Sequence, residues 1–384
     1  MPKRSTDELF QLVKSLEKAE KRNFKLFVQR NATSSDMKTV QLFDALDKLE
    51  DYDEEALLKR NTDIKKQQLS NLKAHLYRQI LASLRILKDD NNIQLQLHEL
   101  MDYSRILYDK GLYLQSLKTL DRVKEYAREQ HQVTYWLQTL IFEKKIEALY
   151  ITRSMENRAE TLAKEVEEAG DRLTMMNKLS NLSLQLYSWY INLGHARGDK
   201  DRIAIKAFFE SNLPTTAGLY NGFYEKHYQY ESYCWYGFIL QDLLMYYRYC
   251  QKWVDAFEQE PLMKKVDTPL YIKGLHNLLN AHFVLQNYDK FNTVLDKFEH
   301  FYHSKQANSN DNNRVQCFIY LYTAKLNKHF LEGSFTAGLK LIPEIEEKII
   351  EFRLKMDRHR VLVFYYKIAC LYFGRKKKKK AIEY

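Results

Sequence analysis

Glycine and proline are scarce in this sequence, with 11 and 5 copies among 384 residues. Strand-rich folds need frequent turns, and those turns draw heavily on both residue types. Long stretches of the chain contain neither, while apolar residues recur at spacings of three and four. The sequence therefore predicts an all-α protein.

Cysteine is equally rare, and uncharged apolar runs are short. The four cysteines are scattered through apolar helical stretches and form no close pair, at Cys234, Cys250, Cys317 and Cys370. This pattern predicts buried thiols in a reducing compartment. The first residues, MPKRSTDELF, lack the apolar run of a signal peptide, and no window approaches the length of a membrane span. We therefore expect a cytoplasmic protein that has no membrane partner.

Catalytic signatures are missing as well. The sequence has no phosphate-cradling glycine-rich loop, no HExxH, no nucleophile elbow and no paired-cysteine motif. Glu299, His300 and His303 share one helix face, but two histidines three residues apart need further ligands to hold a metal. The sequence therefore indicates no catalytic residue, no metal site and no cofactor. An enzyme is the third alternative, because catalytic residues need not form motifs.

Most of the net charge of +10 lies in the last part of the chain. Residues 301–384 contain 17 basic and 8 acidic residues, and six of the basic ones form the run from Arg375 to Lys380. Such a run can contact phosphates, here through Arg375, Lys376, Lys377 and Lys378, and this is our alternative function: a regulator associated with nucleic acid. We favour the interpretation as a solvated helix start, because an electrostatic footprint usually spreads over a face.

The first 92 residues differ from the rest. They show several short amphipathic patterns, the first of which a capping box of Ser5 and Glu8 would open. The longest pattern follows a helical period from Leu69 to Leu87. A polar stretch, residues 89–92, then ends this part. We interpret residues 1–92 as an N-terminal helical block and residues 93–384 as a second domain.

A unit recurs in the second domain: a long helix rich in tyrosine and leucine, a turn, and a second helix with a small residue. The clearest turns lie around Gly111, Gly198, Trp253, Tyr288 and Gly333. In the final copy, Ala369, Tyr372 and Ala381 supply a small, an aromatic and a small residue. These units resemble the tetratricopeptide repeat, although they are about 35 to 53 residues apart instead of 34.

This resemblance implies an architecture and a class of function. The array would form a right-handed α-solenoid of tandem helix pairs, and block plus array looks like uncharacterised bacterial repeat proteins. Tetratricopeptide arrays are usually scaffolds or adaptors that hold a peptide segment of a partner in a concave groove. We therefore expect a non-enzymatic protein that mediates protein–protein interaction, with a partner that the sequence leaves unidentified.

Asparagine recurs six residues before the turns, at Asn192, Asn280 and Asn327, where other copies have Arg105, Ala148, Met245 and Cys370. In tetratricopeptide repeats this position lies on the concave wall, where an amide can hold an extended peptide backbone. Lys273 and His276 share the helix face of Asn280. The alternatives are solvent-exposed polar residues or hydrogen bonds between helices.

Two further expectations concern aromatic residues and the last repeat. The dense aromatic stretch from Tyr220 to Tyr249 is typical of packing between neighbouring helices, and less so of a peptide or base-stacking surface. At the end of the chain, residues 381–384 begin a second helix that is too short to cover the preceding one. We expect either that the array is truncated or that this surface mediates self-association.

Overall fold

The computed structural model describes residues 7–30, 34–60, 66–87, 92–149, 157–215 and 222–384. All of the secondary structure assigned in these ranges is helical, so the prediction of an all-α protein is confirmed. The chain forms two compact units, residues 1–90 and 91–384. Across the described ranges, no helix combines the length and the apolar character needed to cross a membrane.

The first unit is a small helical bundle with its own core. Leu9, Phe24 and Phe43 belong to that core, as do Leu69, Leu76 and Ile80 from the longest predicted pattern. Ser5 of the predicted capping box lies outside the described residues, and the carboxylate of Asp7 caps the first helix by accepting the Phe10 amide at 3.0 Å. The helices are α1 (Glu8–Ser15), α2 (Lys18–Arg30), α3 (Ser34–Lys48), α4 (Glu54–Arg60) and α5 (Lys66–Ile86).

The second unit consists of longer helices, several of which begin at an Asp or Asn N-cap. Asp267 accepts the Leu270 amide at 3.4 Å, and Asp357 accepts the Arg360 amide at 3.0 Å. The helices are α6 (Ile93–Asp109), α7 (Tyr113–Glu129), α8 (Val133–Glu147), α9 (Arg158–Leu193), α10 (Asp199–Asn212), α11 (Phe223–Leu240), α12 (Leu243–Gln259), α13 (Leu262–Val266), α14 (Thr268–Val284), α15 (Tyr288–Tyr302), α16 (Asp311–Glu332), α17 (Phe335–Gly338), α18 (Ile342–Glu351), α19 (Arg358–Gly374) and α20 (Lys378–Glu383).

These helices pack mainly on their neighbours in the chain. Helix α11 contacts α9 and α12, α12 contacts α14, and α14 contacts both α15 and α16. Helix α16 in turn contacts α19, which contacts α20. One continuous hydrophobic cluster runs from Phe223 to Leu371 through these contacts. Burial is thus shared between successive helices, as expected when amphipathic hairpins cover one another in order.

The turns of these hairpins correct one prediction. Gly111, Gly333 and Gln286 adopt positive φ after the first helix of their pairs, close to the predicted turns. Trp253, predicted to mark a turn, lies inside α12 and is fully buried. The turn before α12 is at Gln241 instead, with φ of 58°. An indole that donates from Nε1 to the Leu270 carbonyl at 3.2 Å belongs to the core, and not to a loop.

The aromatic stretch contributes mainly to packing between helices. Tyr224 and Tyr246 are buried, and Tyr233 stacks on Tyr249 with ring centroids 4.2 Å apart. Tyr220 lies outside the described residues. At the other end of the unit, α19 and α20 expose large apolar side chains: Leu362, Tyr366, Phe373 and Ile382.

Candidate functional site

Polar side chains meet across the first helices of successive pairs, beginning between α11 and α14. Lys273 on α14 donates from Nζ to Oε1 of Glu231 on α11 at 2.5 Å. The same ammonium lies 5.7 Å from the centroid of the Trp253 ring. Burial would raise the pKa of Glu231, but Lys273 and His227 outweigh it and hold that pKa below its usual value. Lys273 is therefore neutralised by one carboxylate.

His276, one turn after Lys273, connects α14 to α16. Its imidazole stacks on the ring of Tyr320, with centroids 4.3 Å apart and planes 23° from parallel. Burial lowers the pKa of His276 to about 3, and repulsion by Arg360, Lys367 and Lys273 adds to this. The ring is therefore neutral near pH 7. The three cations around it make its environment positive.

Arg360 and Lys367 bring α19 into the same group. The Arg360 guanidinium lies 5.3 Å from the Tyr320 ring centroid and donates to the Tyr320 hydroxyl at 3.3 Å. Lys367 donates to Oδ1 of Asn327 at 2.6 Å, and burial lowers the pKa of Lys367. Neither cation forms an ion pair within the described residues. Two positive charges therefore stand here with only neutral partners.

We call this group the α14–α19 cluster; its members are Lys273, His276, Tyr320, Asn327, Arg360 and Lys367. Three of them are cations, and within the described part of the chain Glu231 is the carboxylate that pairs with one of them. The NH₂ group of Asn327 donates no hydrogen bond to any described residue. The cluster thus combines uncompensated positive charge with an amide donor, which are the groups that an anionic peptide would require.

Of the predicted site residues, the structure brings three into this cluster: Lys273, His276 and Asn327. Asn280 shares their helix face, but its amide donates at 3.3 Å to the hydroxyl of Tyr246 on α12. Both Asn280 and Asn327 lie six residues before a positive-φ residue, Gln286 and Gly333. The two asparagines therefore occupy equivalent positions relative to the backbone turn that ends each helix.

Asn192 occupies a different place. It lies near the end of α9, two residues before Gly194, which has φ of 75°. Its side chain is exposed and donates to the carbonyl of Ser188 on its own helix at 2.9 Å. The connection between α9 and α10 runs from Gly194 to Gly198. The sequence prediction counted six residues back from Gly198, the end of this connection, instead of from Gly194 at its start. Asn192 therefore lies about one helical turn beyond the position that is equivalent to Asn280 and Asn327.

Arg360, Lys367 and Tyr320 were not predicted. The sequence does contain a signal for them, which is a pair of polar residues seven positions apart on each of three helices. The pairs are Lys273 and Asn280, Tyr320 and Asn327, and Arg360 and Lys367. A seven-residue spacing places two side chains on the same helix face. Three polar pairs with this spacing on three first helices mark a shared polar face.

The basic run is exposed at the start of α20. Each residue from Arg375 to Lys380 is exposed, and none forms an ion pair within the part of the chain that the structure describes. Lys376 has φ of 59° and forms the turn, while Lys378 begins the helix. The run is therefore the turn and helix start that the sequence suggested, and its charges face solvent.

The expectation of buried thiols is confirmed for Cys234, Cys250 and Cys317, whereas Cys370 is half-buried. Cys234 on α11 and Cys250 on α12 lie with their Sγ atoms 3.6 Å apart, so they form a close pair in space. The two facing helices of a hairpin bring residues sixteen positions apart together, which sequence spacing does not reveal. Burial raises the pKa of the Cys234 thiol well above its usual value, so this sulfur reacts little.

A buried histidine lies beneath the α14–α19 cluster. His227 on α11 packs its ring against Trp253 with centroids 4.6 Å apart, and no described residue forms a hydrogen bond with either of its nitrogens. Its Nε2 is 3.9 Å from Glu231, too far for a hydrogen bond. Burial lowers the pKa of His227 to about 4, against attraction by Glu231 and together with repulsion by Lys273.

This histidine gives a prediction about acid stability. Because its folded pKa lies below its usual 6.5, the unfolded chain binds a proton in mild acid that the folded chain does not. This stability is present above the unfolded pKa and is lost as pH falls towards the folded pKa. Between about pH 7.5 and about pH 5, His227→Leu should lose about 2 kcal/mol less unfolding free energy than the wild type.

Urea denaturation of both proteins at the two pH values measures this difference. Burial raises the pKa of Asp267 to about 6, so Asp267 makes the folded state more stable as the pH falls, which is opposite to the effect of His227. The lowered pKa of His276 has the same effect on stability as that of His227. Both are present in the two proteins, so their effects cancel in the comparison. Equal pH dependence of wild type and variant would mean that the pKa of His227 is the same in the folded and unfolded chains, and would contradict this prediction.

The fold and the cluster define an all-helical protein of successive helix hairpins whose first helices share a polar, positively charged group. The sequence matches no protein-family model, and comparison with curated proteins finds no match. Among the described residues, no three His, Cys, Asp or Glu side chains are arranged to hold a metal ion. The functional argument therefore rests on the cluster.

Proposed function

We propose that this protein is a non-enzymatic, cytoplasmic scaffold or adaptor that holds a peptide segment of a partner protein. In this proposal the second unit is a tetratricopeptide-like, right-handed solenoid, and its first helices α11, α14, α16 and α19 line a concave groove. The observation that carries the proposal is the α14–α19 cluster, in which, among the described residues, Arg360 and Lys367 have no carboxylate partner and the Asn327 amide donates no hydrogen bond.

The charge of the cluster supports an acidic segment. Lys367 is partly buried, and no carboxylate of the described residues neutralises it, so its ammonium is poorly solvated and would gain from an arriving carboxylate. Arg360 offers a planar fork that matches a carboxylate, and its stacking on Tyr320 holds that fork in place. Asp or Glu side chains of an extended peptide would satisfy both groups, while the Asn327 amide contacts the peptide backbone.

A displayed library of random peptides tests the proposal, with selection on the wild-type protein followed by titration of individual peptides. We expect the selected sequences to be enriched in Asp and Glu. The double variant Arg360→Gln and Lys367→Gln should weaken them about 100-fold, which corresponds to two lost charge-assisted hydrogen bonds. Fluorescence anisotropy at two salt concentrations measures the affinity and its electrostatic part.

The matched control changes two lysines of the basic run, Lys378→Gln and Lys379→Gln. It removes the same charge from residues that are exposed and form no ion pair in the described part of the chain. We expect this control to bind the peptides as the wild type does. Equal weakening by both double variants would show that net charge alone attracts the peptides, and selection of no peptide would contradict the proposal.

The same variants test the alternative function. The exposure of the whole run from Arg375 to Lys380 leaves its charges accessible to phosphates of nucleic acid. If the protein binds DNA or RNA at low salt, and if the Lys378 and Lys379 variant loses that binding while the Arg360 and Lys367 variant keeps it, a nucleic-acid-associated regulator becomes the better proposal. Absence of binding to either nucleic acid at low salt would exclude it.

A further inference from the structure

A cleft separate from the α14–α19 cluster lies among α12, α14 and α15. Its volume is about 260 Å³, just below the usual range of small-molecule sites. Val254, Leu275, Leu278 and Val294 give it apolar walls. Such a cleft has room for a compact ligand of which one part is apolar.

One end of the cleft carries polar groups around the ring of Tyr247. The ring of His282 lies 5.1 Å from the Tyr247 centroid, and the ammonium of Lys290 lies 5.5 Å from it. His282 is almost completely buried, yet its Nδ1 forms no hydrogen bond with any residue that the structure describes. An unpaired buried nitrogen is costly, and a ligand atom that bonds to it would remove that cost.

Of the two lysines in the cleft wall, one is compensated by a carboxylate and the other is not compensated within the described residues. Lys297, also in the cleft wall, is paired with Glu258 at 2.7 Å, whereas Lys290 forms no ion pair within the described ranges. Burial lowers the pKa of His282, and repulsion by Lys290 adds to this. The imidazole is therefore neutral, with one nitrogen that donates and one that accepts.

We propose that this cleft binds a small carboxylate with a short apolar body, such as a medium-chain or aryl carboxylic acid. The carboxylate would pair with Lys290 and accept the N–H of His282, while the body contacts Val254, Leu278 and Val294. One unpaired ammonium matches one negative charge, and the apolar walls disfavour a ligand that is charged throughout. This ligand site goes beyond the proposed scaffold function and does not depend on it.

Saturation-transfer NMR with hexanoate as the probe tests the site, and hexanamide serves as the uncharged probe of matched size. We expect hexanoate to bind and hexanamide to bind much more weakly. Lys290→Gln should weaken hexanoate about tenfold, because it removes one charge-assisted hydrogen bond. The matched control Lys340→Gln, an exposed lysine outside the cleft, should leave the affinity unchanged.

A second variant tests the location without disturbing the core. Thr293 is exposed at the cleft wall, so Thr293→Trp should fill the cleft and abolish hexanoate binding while the melting temperature stays near that of the wild type. Inorganic phosphate should not displace hexanoate, because it lacks the apolar body. Equal binding of hexanamide, unchanged binding by the Lys290 or Thr293 variant, or no saturation transfer at millimolar hexanoate would overturn the proposal.

Discussion

Replacing Trp253 with alanine is expected to lower the free energy of unfolding by about 3 to 5 kcal/mol. The indole is fully buried and lies edge-on to His227. It also fills the space over Gly274 of α14, where an added Cβ would stand 2.9 Å from the indole ring. Removing the indole would leave a large cavity between α12 and α14, which the surrounding close-packed side chains can fill only in part.

Urea denaturation followed by far-UV circular dichroism measures the loss, since the variant removes a fluorophore. The control is Tyr366→Ala, an aromatic side chain that is 71% exposed on α19, and it should change the unfolding free energy by less than about 0.5 kcal/mol. Because Lys273 lies over the indole, the Trp253 variant should also weaken peptide binding. An unfolding free energy within error of the wild type would contradict the described core.

Local patterns in the sequence were sufficient to predict the helices and one helix face. Scarce glycine and proline indicated an all-helical chain. The helical period of apolar residues from Leu69 onward predicted a helix, which the structure contains as α5. Lys273, His276 and Asn280 were placed on one face because a helix has a fixed period. Each of these inferences needs only the residues of one helix.

Contacts between helices could not be predicted, because they depend on how far one helix is shifted along the next. His276 lies four residues before Asn280, yet it stacks on Tyr320, which lies seven residues before Asn327. That offset of about one turn decides which side chains meet. Arg360 and Lys367 enter the cluster through the same offset, and Cys234 approaches Cys250 through hairpin closure.

The misplaced turn at Trp253 has a related cause. An aromatic residue followed by a small one, Trp253 and Ala256, matches the repeat pattern locally. The true turn at Gln241 carries no glycine, and Gln adopts positive φ at some cost there. The fixed interval between Asn280 and Gln286, and between Asn327 and Gly333, shows that backbone turns define the repeat better than aromatic residues do.

Replacing Glu143 with alanine is the second change expected to have a large effect, again about 3 to 5 kcal/mol of unfolding free energy. The Glu143 carboxylate is completely buried on α8 and holds two cations, Lys124 at 3.0 Å and the Nε of Arg158 at 3.0 Å. Glu165 lies farther off, at 3.8 Å from Lys124 and 3.6 Å from Arg158. Lys124 also lies 3.4 Å from the half-exposed carboxylate of Asp121. Without Glu143, two largely buried cations would be left with these more distant carboxylates.

A matched control separates burial from ion pairing as such. Glu210 pairs with Lys206 at 3.8 Å on α10, and both side chains are more than 60% exposed, so Glu210→Ala should cost less than about 1 kcal/mol. Glu143→Gln keeps the shape and the acceptor oxygen but loses the charge, and it should lie between wild type and Glu143→Ala. Equal loss of stability in the Glu143 and Glu210 alanine variants would contradict this prediction. It would mean that Lys124 and Arg158 become solvated when the carboxylate is removed, and that α8 packs against α7 and α9 less tightly than the structure shows.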